Sequence, residues 1–453
     1  MQASADDTVP VVNVQFLGGA GEIGRSAILL DDSLLLDFGM KTDDPPQYPL
    51  GDVSPDAVVV SHGHLDHVGA IPSLLSGRER PAIHWTPPTY ELAMTLAADT
   101  LKLHGGTPLC PFTEEERRRV TEVSTTHGYR APFEAAGYRV EFFNAGHIPG
   151  SAHVLVDDGE TRLLYTGDFY TDDGAGGASD RTTPDGDPGR RTATGAAVRG
   201  QRLVSSTTER PAADVVVCES TYADVGHDPR GQVEKRFIDS VRTTLWEGGT
   251  VVVPAFAIGR TQEIMLLCAA HDIDCYVDGM GVEVTRLLRR HPEFLRDADA
   301  MAEAKSNART VTGRDGQRRR IAAESTVIIT TAGMLSGGPA MTYVPEVCAD
   351  PINKICFSGH QVEGTPGRQL LETGSAEIGG QHVRASAQLE QYDFSAHADR
   401  HGLRAFLDAY GDTPILINHG DSCEWFAERL RQEGLEATAP EIGDAVEVYA
   451  GDP

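Results

Sequence analysis

The sequence has very little lysine, no long hydrophobic run and no paired cysteine motif. Five lysines occur among the 39 basic residues of the 453-residue chain, against 67 acidic residues, so the formal net charge is −28. No stretch of 18 apolar residues occurs, which argues against a membrane-spanning helix and a membrane partner. The first residues, MQASADDTVP, contain neither a basic nor an apolar segment, so they do not form a signal peptide and we expect a cytoplasmic protein.

The seven cysteines are scattered along the chain, and none belongs to a CxxC pair. An odd number without close spacing argues against a disulfide framework and against a cysteine zinc site. Cys218, for example, follows three valines, where a free thiol packs as a small hydrophobic group. The cysteines therefore indicate a reducing compartment.

The acidity bears on possible partners, because contacts with phosphate supply most of the affinity of proteins for nucleic acids. Acidity with so little lysine is typical of proteins from salt-loving archaea, whose carboxylates keep the surface hydrated; the alternative is an ordinary acidic protein. In molar salt the Debye length falls to about 3 Å. Net charge then no longer decides what a protein binds, so nucleic acids remain candidate substrates.

Short strands and helices alternate in two regions, with an unusual segment between them. Apolar stretches bounded by Gly, Asp or Pro, such as 57–60 and 162–165, predict strands in the first region. From Asp214 onward, strand and helix alternate regularly, which predicts a parallel α/β unit. Residues 171–200 are rich in Gly, Asp, Thr and Arg and contain almost no large apolar side chain, so we expect an exposed or disordered insertion.

The strongest chemical signal is the sequence SHGHLDH at residues 61–67, directly after a predicted apolar strand. In this spacing His62 and His64 can point the same way, while Asp66 and His67 turn toward a second position. Imidazole nitrogen and carboxylate oxygen are ligands that zinc favours in catalytic sites. The motif therefore predicts one cluster that begins two adjacent metal sites.

Three further candidate ligands each follow a predicted strand, namely His147, Asp168 and His419. A single histidine or aspartate at such a place is usually an ordinary loop residue, but three in this order after HGHLDH favour a shared metal site. Asp37 ends another predicted strand and could orient a ligand histidine from outside the metal shell.

The order of these motifs resembles that of the metallo-β-lactamase superfamily. The resemblance implies an αββα sandwich that holds two zinc ions. It implies three ligands for one zinc, three for the other and one bridging carboxylate: His62, His64 and His147; Asp66, His67 and His419; and Asp168. Two such ions, roughly 3.5–4 Å apart, activate a water molecule and stabilise both the attacking and the leaving oxygen.

Later motifs resemble the β-CASP group, the nuclease branch of this superfamily. Glu219 lies in CESTY at residues 218–222, and His397 lies in FSAHAD at residues 394–399. A carboxylate next to an imidazole raises the proton affinity of the histidine and fixes its tautomer. The pair would suit a general acid that protonates the leaving oxygen of a phosphodiester. The catalytic assignment is completed by the ligand Asp66 and by Asp37.

Three segments between these two motifs also resemble the group, at residues 254–263, 332–338 and 359–368. Each combines glycine with hydroxyl or arginine side chains, so backbone N–H groups can approach phosphate oxygens closely. Arginine can also hold phosphate through two parallel hydrogen bonds. The candidate substrate-binding residues are Arg260, Ser336, Thr365 and Arg368.

The segment GAGEIG at residues 19–24 fits the GxGxxG pattern of dinucleotide-binding proteins. That fold requires a helix to begin there, whereas the following residues, RSAILL, are typical of a strand. We therefore predict a tight hairpin near the metal site and no dinucleotide.

The predicted fold class is α/β, an αββα metallo-β-lactamase sandwich with an inserted parallel-sheet α/β β-CASP domain. The predicted boundaries place the first part of the sandwich at 1–222, including the insertion at 171–200, the β-CASP domain at 223–382 and the last part of the sandwich at 383–453.

The chain resembles archaeal relatives of the cleavage and polyadenylation specificity factor endonuclease, with RNase J as a cousin. This implies a zinc-dependent ribonuclease in mRNA 3′-end processing or RNA decay. The expected reaction is attack of metal-bound hydroxide on the phosphorus of single-stranded RNA, by an endonuclease, a 5′-to-3′ exonuclease or both. Pairing of group members through their C-terminal parts implies a homodimer.

Three alternatives compete with this interpretation. A hydrolase for a small thioester or lactone would not need the region inserted between Glu219 and His397, and a non-catalytic member would have lost ligands that are present here. A DNA nuclease of the same group is the third. The histidine at position 419 resembles the RNA-acting members, whereas the DNA-repair members carry an apolar residue there.

Overall fold

The computed structural model describes residues 11–43, 45–78, 80–173, 201–314 and 316–449. These residues form two compact units: the first consists of 11–173, 206–226 and 397–449, and the second of 201–205 and 227–396. The predicted insertion at 171–200 lies outside the described residues from residue 174 onward. Within the described ranges, no helix is both long enough and apolar enough to cross a membrane.

The strands of the described residues, in chain order, are β1 (Val11–Gly18), β2 (Ala27–Leu30), β3 (Leu34–Leu36), β4 (Ala57–Val59), β5 (Ala82–Trp85), β6 (Ser124–Thr126), β7 (Phe133–Ala135), β8 (Tyr138–Asn144), β9 (Ala152–Asp157), β10 (Arg162–Tyr165), β11 (Val215–Glu219), β12 (Val251–Pro254), β13 (Cys275–Asp278), β14 (Ala308–Thr310), β15 (Val327–Thr330), β16 (Lys354–Phe357), β17 (Ser375–Ile378), β18 (Gln381–Arg384), β19 (Gln388–Gln391), β20 (Ile415–Asn418), β21 (Ala437–Thr438) and β22 (Ala445–Tyr449).

The α-helices of the same residues are α1 (Leu65–Val68), α2 (Pro87–His104), α3 (Glu114–Val123), α4 (Arg230–Trp246), α5 (Arg260–Ala270), α6 (Met280–Leu288), α7 (Ala298–Asn307), α8 (Gln317–Ala322), α9 (Ala340–Val347), α10 (Pro366–Thr373), α11 (Arg400–Leu407) and α12 (Cys423–Gln432). Short 3-10 helices lie at Ile71–Leu75, Pro292–Phe294 and Asp408–Tyr410.

Two seven-stranded sheets form the first unit, in the orders β22-β1-β2-β3-β4-β5-β6 and β21-β20-β11-β10-β9-β8-β7. Successive side chains of a strand point to opposite faces of its sheet. Accordingly Val59 and Leu163 pack in a core that contains side chains from both sheets. Their chain neighbours Val58 and Leu164 belong to two other cores.

These two other cores lie on the outer faces of the sheets. Val58 packs with Ala93 of α2 and Val120 of α3, and Leu164 packs with Phe406 of α11 and Phe426 of α12. The order of layers is therefore helix, sheet, sheet, helix, which confirms the predicted αββα sandwich.

The second unit contains a six-stranded sheet in the order β14-β13-β15-β12-β16-β19. Every neighbouring pair in this sheet is parallel, as the alternation of strands and helices predicts. The buried residues Val252, Ile328 and Ile355 of adjacent strands share a core with Tyr343 of α9 and Leu370 of α10.

The predicted hairpin near residues 19–24 is present in the first unit. Strands β1 and β2 pair antiparallel, and Phe16 faces Ile28 across the pair. The loop contacts a predicted ligand, because the backbone N–H of His419 donates to the carbonyl of Gly19 at 2.8 Å.

Substitution of Phe142 by alanine tests the assigned core between the two sheets. The side chain of Phe142 is fully buried, so we expect Phe142→Ala to lower the free energy of unfolding of the first unit by about 3–5 kcal/mol, through lost burial and a cavity. Leu103→Ala on α2 is the control, because Leu103 is 65% exposed and should change stability by less than about 0.5 kcal/mol. Denaturant melts of metal-chelated protein measure both, and equal values would contradict the assigned core.

Candidate metal centre

The candidate ligands lie where strands of the first unit end. The HGHLDH turn follows β4, Asp168 follows β10, Glu219 ends β11 and His419 follows β20. Because β10, β11 and β20 are parallel neighbours, their carboxyl ends meet at one edge of the sheet. His147 lies in the turn between β8 and β9.

A backbone hydrogen bond links this turn to the HGHLDH segment. The N–H of Ala152, which begins β9, donates to the carbonyl of Ser61 at 2.8 Å. The two histidine-bearing loops come from different sheets, so this bond fixes His147 relative to His62 and His64. The rings of His64 and His147 meet edge to face with centroids 4.8 Å apart.

The side chains form two groups that could each hold a metal ion. In each group the ligand atoms lie within 4.8 Å of one another. One group is His62, His64, His147 and Asp168, and the other is Asp66, His67 and His419. These are the seven residues that the sequence predicts as ligands, in the two predicted sets.

Asp168 connects the two groups, because each of its oxygens faces different histidines. Oδ2 lies 3.5 Å from Nε2 of His62 and 3.8 Å from Nε2 of His147. Oδ1 lies 3.5 Å from Nε2 of both His67 and His419. A carboxylate in this position can bridge two ions.

The spacing and burial of these atoms fit metal binding. Ligand atoms of a tetrahedral zinc site with bonds of about 2.1 Å are roughly 3.4 Å apart, close to the separations around Asp168. Within the described residues, Nε2 of His62, Nε2 of His67 and Oδ1 of Asp168 are buried without a hydrogen-bond partner. Buried polar atoms normally have partners, so a metal ion would satisfy these three.

The surroundings favour the neutral forms of His62 and His64 and favour a positive charge at His67, beside Asp168 and Asp37. Burial lowers the pKa of His62 well below its usual value and lowers the pKa of His64 to about 4, which favours the neutral imidazole that can bind a metal ion. Burial opposes a proton on His67 as well, but Asp168 and Asp37 raise the pKa of His67 well above its usual value. A positive charge is therefore favoured at this position.

Asp37 holds His67 from outside the ligand group. Its Oδ2 lies 2.7 Å from Nδ1 of His67 and accepts hydrogen bonds from Ser61 Oγ at 2.6 Å and Tyr165 Oη at 2.8 Å. Its Oδ1 accepts from the backbone N–H of Ser61 at 2.7 Å. With Nδ1–H donating to Asp37, the tautomer of His67 presents Nε2 to a metal.

Gly39 permits a close backbone contact next to this site. A Cβ atom at this position would lie 1.6 Å from the carbonyl oxygen of Asp66, so no other residue fits without displacing the ligand loop. The neighbouring N–H of Phe38 donates to the carbonyl of His67 at 2.9 Å. The segment that carries Asp37 thus also supports the HGHLDH turn.

His397 and Glu219 form a third group with Asp168. Nδ1 of His397 lies 3.3 Å from both carboxylate oxygens of Glu219, and its ring centroid is 4.4 Å from that of His147. Burial opposes the charged imidazole, but Glu219 raises the pKa of His397 above its usual value. The His397 side chain is 19% exposed, so the ring is both next to the ligands and accessible.

Comparison with known proteins agrees with this geometry. Residues 21–202 match the metallo-β-lactamase superfamily, residues 261–370 match the Beta-Casp domain and residues 382–440 match the Zn-dependent metallo-hydrolase RNA specificity domain. The chain belongs to the β-CASP branch of the metallo-β-lactamase superfamily. The last of the three matched regions includes both His397 and His419.

Two archaeal members of this branch are similar over almost the whole chain. "RNase aCSPSF2" of Saccharolobus solfataricus is 33% identical, with 96% of this chain and 85% of the relative covered. "Probable RNase MJ4" of Methanocaldococcus jannaschii is 30% identical, with 96% and 100% covered. A crystal structure of a protein of unknown function from Enterococcus faecalis V583 matches 97% of this chain and 100% of that chain with a TM-score of 0.57 and 13% identity, which shows the fold alone.

The candidate phosphate-binding residues of the β-CASP unit follow β12, β15 and β16, at the carboxyl edge of its parallel sheet. Ser336 is exposed, and Thr365 caps α10 by accepting from the N–H of Arg368. Arg368 pairs with Glu372 at 2.6 Å and keeps 42% of its side chain exposed. Arg260 is only 11% exposed and pairs with Glu263 at 2.7 Å, so Arg368 is the more accessible arginine.

Sequence reasoning missed Ser26 and Tyr165, which contact metal ligands or their partners. Tyr165 is separated from Asp37 by 128 residues, and Ser26 lies 2.8 Å from Nδ1 of His419 across 393 residues. No local spacing identifies such pairs, because only the folded sandwich brings these strands together.

Asp37→Asn tests whether Asp37 orients His67 for metal binding. Both oxygens of Asp37 face hydrogen-bond donors, whereas asparagine has only one acceptor oxygen and no charge, so we expect metal affinity to fall about 10–100-fold with little change in secondary structure. Chelator competition measures the affinity. Asp52→Asn, which changes an exposed carboxylate of the same unit, is the matched control; unchanged affinity of Asp37→Asn would contradict the assigned support.

Proposed function

We propose that this protein is a zinc-dependent ribonuclease that hydrolyses phosphodiester bonds of single-stranded RNA at a centre of two zinc ions, in the cytoplasm. The single observation that carries the proposal is the pair of ligand groups around Asp168, with the His397–Glu219 pair at their side. The two relatives whose names call them RNases support RNA as the substrate.

The ligand assignment follows the two groups. His62, His64 and His147 would hold one zinc, and Asp66, His67 and His419 the other, with Asp168 shared. The bound ions would supply activation of a water molecule and stabilisation of the charge on the reacting phosphate. This chemistry suits the hydrolysis of a phosphodiester, in which the oxygen of the attacking water and the leaving oxygen lie on opposite sides of phosphorus.

Asp66 lies on the accessible side of the centre. Its side chain is 28% exposed, whereas His67, His419 and Asp168 are at most 3% exposed. We therefore assign Asp66 to the face that the substrate approaches, where it would both hold zinc and orient the attacking water.

His397 is proposed as the general acid. Its Nδ1 engages Glu219, which leaves proton transfer to Nε2 on the opposite side of the ring. Glu219 is itself fixed, because its Oε1 accepts the backbone N–H of Phe169 at 2.8 Å. A ring held in this way can deliver a proton to the leaving 3′ oxygen at one place.

Arg368, Ser336, Thr365 and Arg260 are proposed to contact the RNA backbone. The support is their common position at the carboxyl edge of a parallel sheet, where open α/β sheets bind their ligands. Hydroxyl groups and backbone N–H groups in glycine-containing loops suit phosphate oxygens.

Substitution of Asp66 or His67 by alanine tests the metal centre. We expect no measurable RNA cleavage by either variant, because each removes a proposed ligand, while circular dichroism stays close to that of the unaltered protein. Asp52→Ala is the matched control and should cut RNA normally. Cleavage by Asp66→Ala at the unaltered rate in chelated buffer would show that the two-metal mechanism is wrong.

Substitution of His397 by alanine tests the acid. We expect cleavage to slow by about 10²–10⁴-fold with unchanged zinc content. RNA with sulfur in place of the leaving 3′ oxygen should be cut by the variant at nearly the rate of the unaltered protein, since a thiolate leaves without a proton. Exposed His382→Ala serves as control. Loss of zinc from the His397 variant would show that His397 is a ligand and not the acid.

The type of cleavage is measured with 5′-labelled RNA in high salt with zinc, bearing either a triphosphate or a monophosphate. Mononucleotides that appear only from the monophosphate RNA indicate a 5′-to-3′ exonuclease, and internal fragments from both indicate an endonuclease. DNA of the same sequence and a thioester are included, because cleavage of either in place of RNA would overturn the proposed substrate.

A further inference from the structure

The residue after the GAGEIGR segment lies directly behind a candidate metal ligand. Ser26 precedes β2 and is fully buried. Its Oγ lies 2.8 Å from Nδ1 of His419. The glycines of the hairpin make room for this contact, since a Cβ on Gly19 would lie 3.0 Å from Oγ of Ser26.

The main chain of Ser26 contacts a second ligand of the same group. Its N–H donates to the carbonyl of Asp66 at 2.8 Å, and its carbonyl accepts from the N–H of Gly39 at 3.0 Å. Ser26 thus touches two of the three residues that form the group of Asp66, His67 and His419. The third, His67, is held by Asp37.

The backbone of His419 is fixed by other bonds, which leaves its ring to Ser26. The N–H of His419 donates to Gly19, and its carbonyl accepts from the N–H of Ser220 at 3.1 Å. Its φ of 50° lies in the left-handed region, which turns the residue sharply out of β20. The contact of Nδ1 with Ser26 Oγ then orients the ring.

The contact is compatible with the tautomer that binds a metal, because a hydroxyl can accept a hydrogen bond as well as donate one. A neutral imidazole has one N–H and one acceptor nitrogen. If Nδ1–H donates to Ser26 Oγ, the lone pair is on Nε2, which lies 3.5 Å from Oδ1 of Asp168 and 3.6 Å from Oδ2 of Asp66. That is the nitrogen required in the ligand group.

We infer that Ser26 is a positioning residue for the metal site formed by Asp66, His67 and His419, and that its hydroxyl holds the ring of His419 in the metal-binding orientation. The inference rests on the two-metal centre proposed above. The hydrogen bonds of Ser26 described above reach His419 and Asp66, which belong to the same group, so we expect its effect at one of the two sites.

Ser26→Ala tests this inference by metal binding alone. Zinc affinity is measured for each of the two ions by chelator competition, and cobalt(II) absorption is followed during titration. We expect one of the two ions, the one held by Asp66, His67 and His419, to lose about 10–100-fold in affinity, the other ion to bind as before, and the cobalt spectrum of the affected site to change. Ser26→Thr, which keeps a hydroxyl, should restore most of the affinity if its apo form melts like the unaltered protein.

Ser358→Ala is the matched control, because Ser358 is a buried serine of the other unit whose Oγ donates to the carbonyl of Pro254 at 2.8 Å. It should lose stability without losing metal affinity. If unaltered protein binds two ions and Ser26→Ala binds both equally well, the inference is wrong. An equal loss at both sites, or the same loss in Ser358→Ala, would also overturn it. Fewer than two ions in the unaltered protein would overturn the two-metal centre itself.

Discussion

The sharing of Asp168 between two histidine groups is the constraint on which the site depends. Its carboxylate is buried, and burial alone would raise its pKa; the facing His419, His67 and His62 nevertheless hold the pKa of Asp168 well below its usual value. An isolated buried carboxylate would be unfavourable. The surrounding histidines stabilise the carboxylate, and they follow β4 and β20, which belong to different sheets.

The histidines of the cluster differ in the group that contacts the Nδ1 atom of each ring. His67 is backed by a carboxylate, whereas His62 has the hydroxyl of Ser61 at 3.1 Å and His419 has that of Ser26. Charged hydrogen bonds are stronger than neutral ones, so His67 is the most firmly oriented of the three. The histidines of the cluster are therefore held in chemically different ways although they are the same residue type.

Much of this arrangement could be predicted because the ligands occupy strand ends. The strand at 162–165 has the predicted bounds, and the αββα layers follow from alternating side chains. The motifs in HGHLDH and after later strands identify the ligand groups, since the carboxyl ends of parallel neighbours lie together. The group of His397 and Glu219 was equally visible from its motifs.

Other features could not be predicted from local patterns. Helix α10 begins with Pro366 and Gly367, which suggest a turn, yet proline is favourable in the first turn of a helix and Thr365 caps it. Strand β9 contains the buried His153, whose Nδ1 bonds the carbonyl of Thr166 at 2.8 Å; an interior histidine weakens the apolar pattern. The contacts of Ser26 and Tyr165 depend on tertiary structure alone.

The first unit is closed by strands that come late in the chain. β22 pairs with β1, and β20 pairs with β11, while the intervening residues 227–396 belong to the other unit. A growing polypeptide therefore contains the whole of the inserted unit before the sandwich has all of its strands. His397 and His419 follow that unit in the chain, so the ribosome completes the set of candidate metal-site residues only after it has synthesised the inserted unit.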